Sequence, residues 1–383
     1  MTSTITARRL LRGNEIVEYP RITVDDGQIT SILSRETGHA GDSYPDATLV
    51  PAYVNIHVHG AVGHDVMEGT PQALQAVGAA LAGHGVGAYY PTTVTSSTDE
   101  TLRALDMIAG VIDREPSATA AVPLGIHLEG PFLSPAKRGA HTAALLVQPS
   151  MALFDRFWQA ARGHIRILTI APELSSALEL IEHANRLGVV CSLGHSNATL
   201  VQAEAGARAG ARSATHTFNA MRSLDHRDPG IAAYVLDNDA LFAEIICDGI
   251  HVDPAMVRLF FKAKGLEKSV LITDGMSATG MPDGKYKLGD LDVEVAHGRC
   301  TTAGSPRVLA GSVLAMDQAV RNFSVFTGAN IAVGAQLAAR NPARLMGLDR
   351  DWGCLEEGRE ANLVALSPDG RIMQSFRAGR PLL

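Results

Sequence analysis

Val54-Asn55-Ile56-His57-Val58-His59-Gly60 runs an apolar strand into two imidazoles. Alternate residues of a strand point to the same side, so His57 and His59 face one way and can share one ion. The same arrangement recurs along the chain. Short apolar runs are closed by Glu129, by His195, by His216 and by Asp274. Ligand-type groups at the same end of many strands are hard to explain unless those ends converge in space. A closed barrel of parallel strands makes them converge and carries its chemistry at the carboxyl ends of the strands.

The surrounding pattern fits that architecture. From about residue 49 to 350, apolar runs alternate with Ala/Leu/Glu/Arg-rich stretches of helical period. Examples are Pro71 to Ala82, Asp99 to Val111, Leu178 to Leu187 and Leu200 to Ala209. Alternating strand and helix signals predict parallel βαβ units. Eight candidate strands end near His59, Thr95, Glu129, Glu173, His195, His216, His251 and Asp274, the number a (β/α)8 barrel needs. A β excursion is expected from about Gly280 to Thr302, followed by helices at Ser312–Phe323 and Gln336–Met346. Both chain ends read as short strands with tight turns, at Asp25-Asp26-Gly27 and at Pro368-Asp369-Gly370. Neither end is long enough to close a core alone. The fold class expected is therefore α/β: a (β/α)8 TIM-like barrel over 49–350, with a small β-sandwich formed jointly by 1–48 and 351–383.

Bulk composition narrows the function. The 383 residues suit one barrel with an appendage, and a net charge of -7 with no Lys/Arg run gives no nucleic-acid surface. No stretch approaches the roughly 20 apolar residues of a membrane span, and the N-terminus leads into no apolar signal core. Cys191, Cys247, Cys300 and Cys354 are scattered without a CxxC pair, and read as small buried hydrophobes in a reducing compartment. A cytoplasmic protein follows, with neither nucleic acid nor membrane as partner.

Each candidate has a plainer reading beside the chemical one. Glu129 lies in His127-Leu128-Glu129-Gly130-Pro131, where Gly-Pro ends the strand and leaves the carboxylate at the rim. A salt bridge would also satisfy it; the ligand reading rests on Glu129 jointly with the histidines. His127 shares the parity of Glu129 and suits either a place beside the site or a place in the core. His195 and His216, taken singly, would be hydrogen-bonded structural histidines. Taken together, imidazoles and a carboxylate suit zinc or iron and leave positions open for water and substrate. Asp274 precedes Gly275, where an Asp can simply cap a turn. Beside a metal-bound water it can instead take a proton and later return it to a leaving amine. His39, His64, His84, His164, His183, His226 and His297 are expected to be solvated or locally hydrogen-bonded.

These segments, with Lys137-Arg138-Gly139-Ala140-His141, Thr217-Phe218-Asn219-Ala220-Met221 and Asp248-Gly249-Ile250-His251, resemble the amidohydrolase superfamily. Within it, they are similar to the family that deacetylates N-acetylglucosamine 6-phosphate. The likeness covers essentially the whole chain. It implies hydrolysis of the acetamide to glucosamine 6-phosphate and acetate, by attack of a metal-bound hydroxide. Glu129, His195 and His216 would hold the main metal, and His141 would polarise the carbonyl. Asp274 would be general base and then acid. Asn219, the Ala220 backbone, Arg227 and His251 would hold the sugar phosphate, with Arg227 reaching in from the other subunit of a homodimer.

The resemblance also bears on metal number. Some members of the family lack the first-strand histidines and use one metal. With both His57 and His59 present, a second ion bound by His57, His59 and Asp274 is expected, bridged by Glu129. The metal is divalent, zinc first and iron or another ion next, one or two per subunit. A lysine-carboxylate bridge has no counterpart, because strand four ends Ile170-Ala171-Pro172-Glu173. The rival readings are another N-acetylated sugar phosphate or amide as substrate, and a non-catalytic scaffold protein. All six candidate ligands are present, which opposes the scaffold reading.

Overall fold

The computed structural model describes residues 2–13, 15–39 and 43–382. Its centre is a curled set of parallel strands: β1 (Tyr53–Val58), β2 (Val86–Pro91), β3 (Ile126–Glu129), β4 (Ile165–Ile170), β5 (Val190–Leu193), β6 (Ser213–Ala214), β7 (Phe242–Ile246) and β8 (Ser269–Ile272). Strands β3 to β8 form one six-stranded sheet in sequential order, while β1 and β2 pair in a second sheet with Val122–Pro123. Single parallel bridges connect the two sheets, Thr92 to His127 on one side and Val58 to Gly275 on the other. All eight strands are buried along their length, apart from the half-buried Arg166 in β4. That is why they read as continuous apolar runs and not as alternating ones.

β3 ends at Glu129 as expected, and the other seven strands stop earlier than the sequence pattern suggested, by up to five residues: β7 ends at Ile246 and not near His251. The difference has a single cause. Backbone pairing ends where the chain turns outward; His59, His195, His216 and Asp274 lie just beyond, while His57 and Glu129 are still within β1 and β3. His195, His216 and Asp274 all have positive φ, at 48°, 29° and 51°. Such values are uncommon for residues other than glycine and cluster at functional sites.

Helices cover the outside of the strands. Ser97 caps Thr98–Ile112 by accepting the Glu100 N–H at 3.2 Å, and Thr199 with Gln202 makes a capping box for Leu200–Arg208. The last helices run Met316–Thr327, Ile331–Ala338 and Arg340–Met346, so the single helix expected over Gln336–Met346 is a pair broken at Ala339. The β excursion is a four-stranded antiparallel sheet from Gly284 to Leu309, longer than the sequence suggested. Its Leu288, Val293, Val295 and Cys300 pack on Val94 and Met276, and its last strand turns back to the open end of the central strands.

The two chain ends pair in one eight-stranded sheet: Ser3–Arg12, Glu15–Glu18, Pro20–Asp25, Gln28–Ser34 and Tyr44–Pro51 with Leu363–Leu366, Ile372–Arg377 and Arg380–Pro381. Asp26 and Gly27, both at positive φ, make the tight turn between two of these strands. The sheet curls back on itself, with Ile29 N–H donating to Arg359 O and Ala361 N–H to Gly27 O, both at 2.8 Å. It encloses a separate apolar cluster that includes Leu10, Ile22, Leu49, Leu363 and Phe376. Cys191, Cys247 and Cys300 are buried free thiols; Cys354 is only half-buried, since it lies in a turn-rich stretch after the last helix. Among the described residues no helix is long and apolar enough to cross a membrane.

Candidate metal centre and active site

Glu129 stands at the middle of the open end, 2% exposed, with a different pair of imidazoles at each oxygen. Its Oε1 lies 3.3 Å from Nε2 of His195 and 3.3 Å from Nε2 of His216. Its Oε2 lies 3.4 Å from Nε2 of His57 and 3.2 Å from Nε2 of His59. Asp274 Oδ1 completes the second pair, 3.4 Å from His57 Nε2 and 3.1 Å from His59 Nε2.

Three of the four rings are oriented from behind, while Nδ1 of His216 is buried without a hydrogen-bond partner. His59 donates Nδ1–H to Thr92 O at 2.9 Å, His195 donates Nδ1–H to Lys137 O at 3.1 Å, and His57 Nδ1 meets Glu244 Oε2 at 3.1 Å. Holding Nδ1 leaves each Nε2 lone pair facing the centre, as metal-ligating histidines require. The segment 134–138 takes part in this: Ser134 N–H donates to His195 O at 2.9 Å, besides the Lys137 contact. Glu173, in the turn after β4, accepts from Ser196 Oγ and Asn197 N at 2.7 and 2.6 Å and steadies the turn after His195.

His141 is held differently. The Thr95 backbone N–H donates to its Nδ1 at 3.3 Å, and Thr95 Oγ1 lies 2.7 Å from the same atom. A backbone N–H can only donate, so the ring proton sits on Nε2, which points toward Glu129 Oε2 at 3.8 Å. Burial, with His195 beside it, pushes the His141 pKa down to about 3, so the ring is a neutral donor. His127 is fully buried and uses both nitrogens on Ile56 O and Thr169 Oγ1, at 2.9 and 2.7 Å. It is a core histidine beneath the site.

Electrostatics mark the cluster as a place for a cation. Burial opposes charge on His57 and His59, but Glu129 and Asp274 outweigh it, holding His57 well above its ordinary range and His59 at about 9. Burial likewise works against ionised Glu129 and Asp274, yet the surrounding histidines hold both carboxyls well below the usual range. Meanwhile Nε2 of His195 and of His216 face one another at 3.0 Å. His57 Nε2 and Glu129 Oε1 are buried without a hydrogen-bond partner. Lone pairs aimed at one another and orphaned buried acceptors are what a divalent ion satisfies. Among the described residues, two groups offer one ligand-type atom per residue with all three within 4.8 Å of one another: His57, His59 and Glu129, and Glu129, His141 and His195. In the second group the Nε2 proton removes His141 as a donor of electrons, and His216, at the same 3.3 Å from Glu129 as His195, takes its place.

Above the cluster opens a cavity of ≈ 340 Å³, lined by His59, Glu129, His141, His195, His216 and Asp274 together with Asn219, Ala220, His251 and Arg307. His251 is turned by Asp248, whose Oδ2 accepts from its Nδ1 at 2.7 Å. Arg227 is exposed in the loop after Met221 and does not line this cavity. The sequence reading missed two residues. Glu244 lies in Phe242-Ala243-Glu244-Ile245-Ile246, where a carboxylate inside an apolar run was a legible signal. Arg307, on the last excursion strand, carried no signal of its own.

Comparison with known proteins agrees with this site. Residues 48–382 match the amidohydrolase family. The chain is 37% identical to the N-acetylgalactosamine-6-phosphate deacetylase of Escherichia coli O157:H7, covering 99% of both chains. It is 34% identical to the N-acetylglucosamine-6-phosphate deacetylase of Bacillus subtilis (strain 168), covering 97% of this chain and 94% of that one. Among solved structures it superposes on a mutant N-acetyl-D-glucosamine-6-phosphate deacetylase of Mycobacterium smegmatis, in complex with N-acetyl-D-glucosamine-6-phosphate. That match has a TM-score of 0.94 at 33% identity and covers 100% and 99% of the two chains. This chain belongs to the amidohydrolase family.

Proposed function

We propose that this chain hydrolyses the acetamide of N-acetylglucosamine 6-phosphate to glucosamine 6-phosphate and acetate. The observation that carries the reading is Glu129 set between two histidine pairs at the floor of a cavity whose upper wall holds Asn219, Ala220, His251 and Arg307. The Bacillus subtilis relative is named for this activity, and the Escherichia coli relative for deacetylation of the galactosamine epimer. Glu129, His195 and His216 would hold one ion, and His57, His59 and Asp274 a second, with Glu129 shared. A divalent ion there, zinc first, would supply Lewis acidity for the amide carbonyl and for water.

The chain's own residues do the rest. The Asp274 carboxylate accepts a proton from water as the water oxygen bonds to the acetyl carbon. The C–N bond then breaks, and Asp274 returns that proton to the departing amine. His141 Nε2–H donates to the carbonyl oxygen as charge builds on it. His251 and Arg307 meet the phosphate, and Asn219 and the Ala220 backbone hold the sugar.

The two single bridges, Thr92 to His127 and Val58 to Gly275, support a complete (β/α)8 barrel over 49–350. The shared terminal sheet supports a second domain made of 1–48 and 351–383. Arg227, exposed beside an exposed Leu224, supports a homodimer in which it enters the partner's cavity. The free cysteines suit the reducing cytoplasm.

Acetate release from N-acetylglucosamine 6-phosphate, and not from the unphosphorylated sugar, tests the reaction; release should cease on chelation. One second reading has a specific observation behind it. The 37% identical relative is named for the galactosamine epimer. A higher kcat/KM on N-acetylgalactosamine 6-phosphate in the same assay would move the substrate there.

A further inference from the structure

Glu244 is fully buried inside β7 between Ala243 and Ile245, both also fully buried, and the mechanism above gives it nothing to do. An ionisable group in that setting is costly unless its partners are specific. They are. Its Oε2 accepts from His57 Nδ1 at 3.1 Å and from the His216 backbone N–H at 3.2 Å. One carboxylate oxygen therefore touches a candidate ligand from each half of the centre. The other oxygen, Oε1, is buried without a hydrogen-bond partner.

His57 takes its Nδ1 contact from Glu244. It is wholly buried and stacked edge-on to His59 and His127, with centroids 5.2 and 4.6 Å away. Its Nε2 points to Glu129 and Asp274 at 3.4 Å each. His59 and His195 rest their Nδ1 on backbone carbonyls, Thr92 O and Lys137 O; His57 rests on a carboxylate. A carboxylate behind a ligating imidazole fixes which nitrogen carries the proton, sets the ring plane and makes the ring a better electron donor.

We propose that Glu244 is the positioning residue of the second ion. It holds His57 so that Nε2 joins His59 and Asp274 in one ligand group, and through His216 N–H it keeps that group in register with the first. It touches neither substrate nor ion and acts through His57. The inference rests on the two-ion reading given above.

The test is metal binding by the full chain. Zinc content is measured by elemental analysis, and the affinity of each ion by competition with a chromophoric chelator; cobalt(II) absorption reports the ligand field. Wild type should bind two ions. Glu244→Gln should keep the first at wild-type affinity and weaken the second by about 10- to 100-fold. In a His57→Asn background the same change should have no further effect, because the residue it acts through is gone. Glu244→Asp, which keeps the charge on a shorter stem, should lie between, and it carries the comparison if Glu244→Gln does not fold. Both ions retained at wild-type affinity would overturn the proposal, as would both weakened equally or a wild type that binds one ion. Acetate release by wild type is measured beside these. Two ions with the Glu244 effect but no acetate would refute the substrate reading and leave this one standing.

Discussion

At the scale of single residues, the site is an exercise in which nitrogen faces inward. His59 and His195 are anchored at Nδ1 by backbone carbonyls and present Nε2, while His141 accepts a backbone N–H at Nδ1 and presents a proton. The same residue type is therefore fitted to be ligand or donor according to one hydrogen bond. Asp274 is the residue proposed to move the proton. Asp274→Asn removes that capacity and keeps the shape, so kcat should fall by about 10²- to 10⁴-fold with little change in KM; acetate release at saturating substrate measures it. Arg307→Ala should raise KM for the phosphorylated sugar by about tenfold or more, the worth of a charge-assisted contact, with kcat nearly unchanged. An unmoved KM would show that Arg307 only borders the cavity.

At the scale of elements, the ends of strands decide how closely the ligands approach. Gly194 joins β5 to His195, and a methyl there would lie 2.6 Å from Cβ of Thr215, the residue before His216. Neither strand can yield easily inside a buried parallel sheet. Gly194→Ala should therefore cost about 1–3 kcal/mol of stability and loosen both His195 and His216; a thermal melt with a metal titration reads both effects. A second tie joins two outer helices. Asp317, near the start of Met316–Thr327, accepts from Arg321 at 2.6 Å and meets His84, at the end of Pro71–Gly83, at 2.8 Å. Burial raises the Asp317 pKa, but these two partners outweigh it and hold the carboxyl below its ordinary range. Its folded-state pKa is thus below the unfolded value of about 3.9. The stabilisation is complete above that value and is lost as pH falls through the folded one. Wild type should lose more Tm than Asp317→Asn between pH 5 and pH 2; parallel curves would refute the linkage.

At the scale of the whole molecule, the candidate ligands span the chain from His57 to Asp274, so any ion they hold ties distant parts of the fold together. An ion bound at about 1,000 times its Kd stabilises the native state by about 4 kcal/mol. Chelation should lower the Tm, and zinc should restore it. Arg377 ties the terminal sheet to the loop before β3 by donating to Ala120 O at 2.9 Å and to Ser117 O at 2.5 Å. The proposed dimer belongs to this scale too. Arg227→Ala should raise KM for the phosphorylated sugar at least tenfold, and mixing it with Asp274→Asn should restore part of the activity, since one mixed site has both groups. No recovery in a confirmed mixed dimer would place Arg227 in its own subunit's site.

How much of this was legible in the chain itself follows from the physics of each signal. Burial on both faces makes a parallel strand a continuous apolar run, and a strand's two-residue period puts His57 and His59 on one side. The alternation of runs and helices, the paired terminal segments and the cluster of His and carboxyl groups were therefore present in the order of residues. Glu244 was equally visible, a charge inside an apolar run. Its purpose was not, because that purpose is a 3.1 Å contact with a ring 187 positions away in sequence. Strand ends were overrun because hydrophobicity continues into turns where pairing has stopped. The tautomer of His141, the division of Glu129 between two histidine pairs and the arrival of Arg307 at the cavity were decided by tertiary structure alone. Each depends on which backbone groups and side chains the folded chain brings within hydrogen-bond reach, and no local pattern encodes a distance across the molecule.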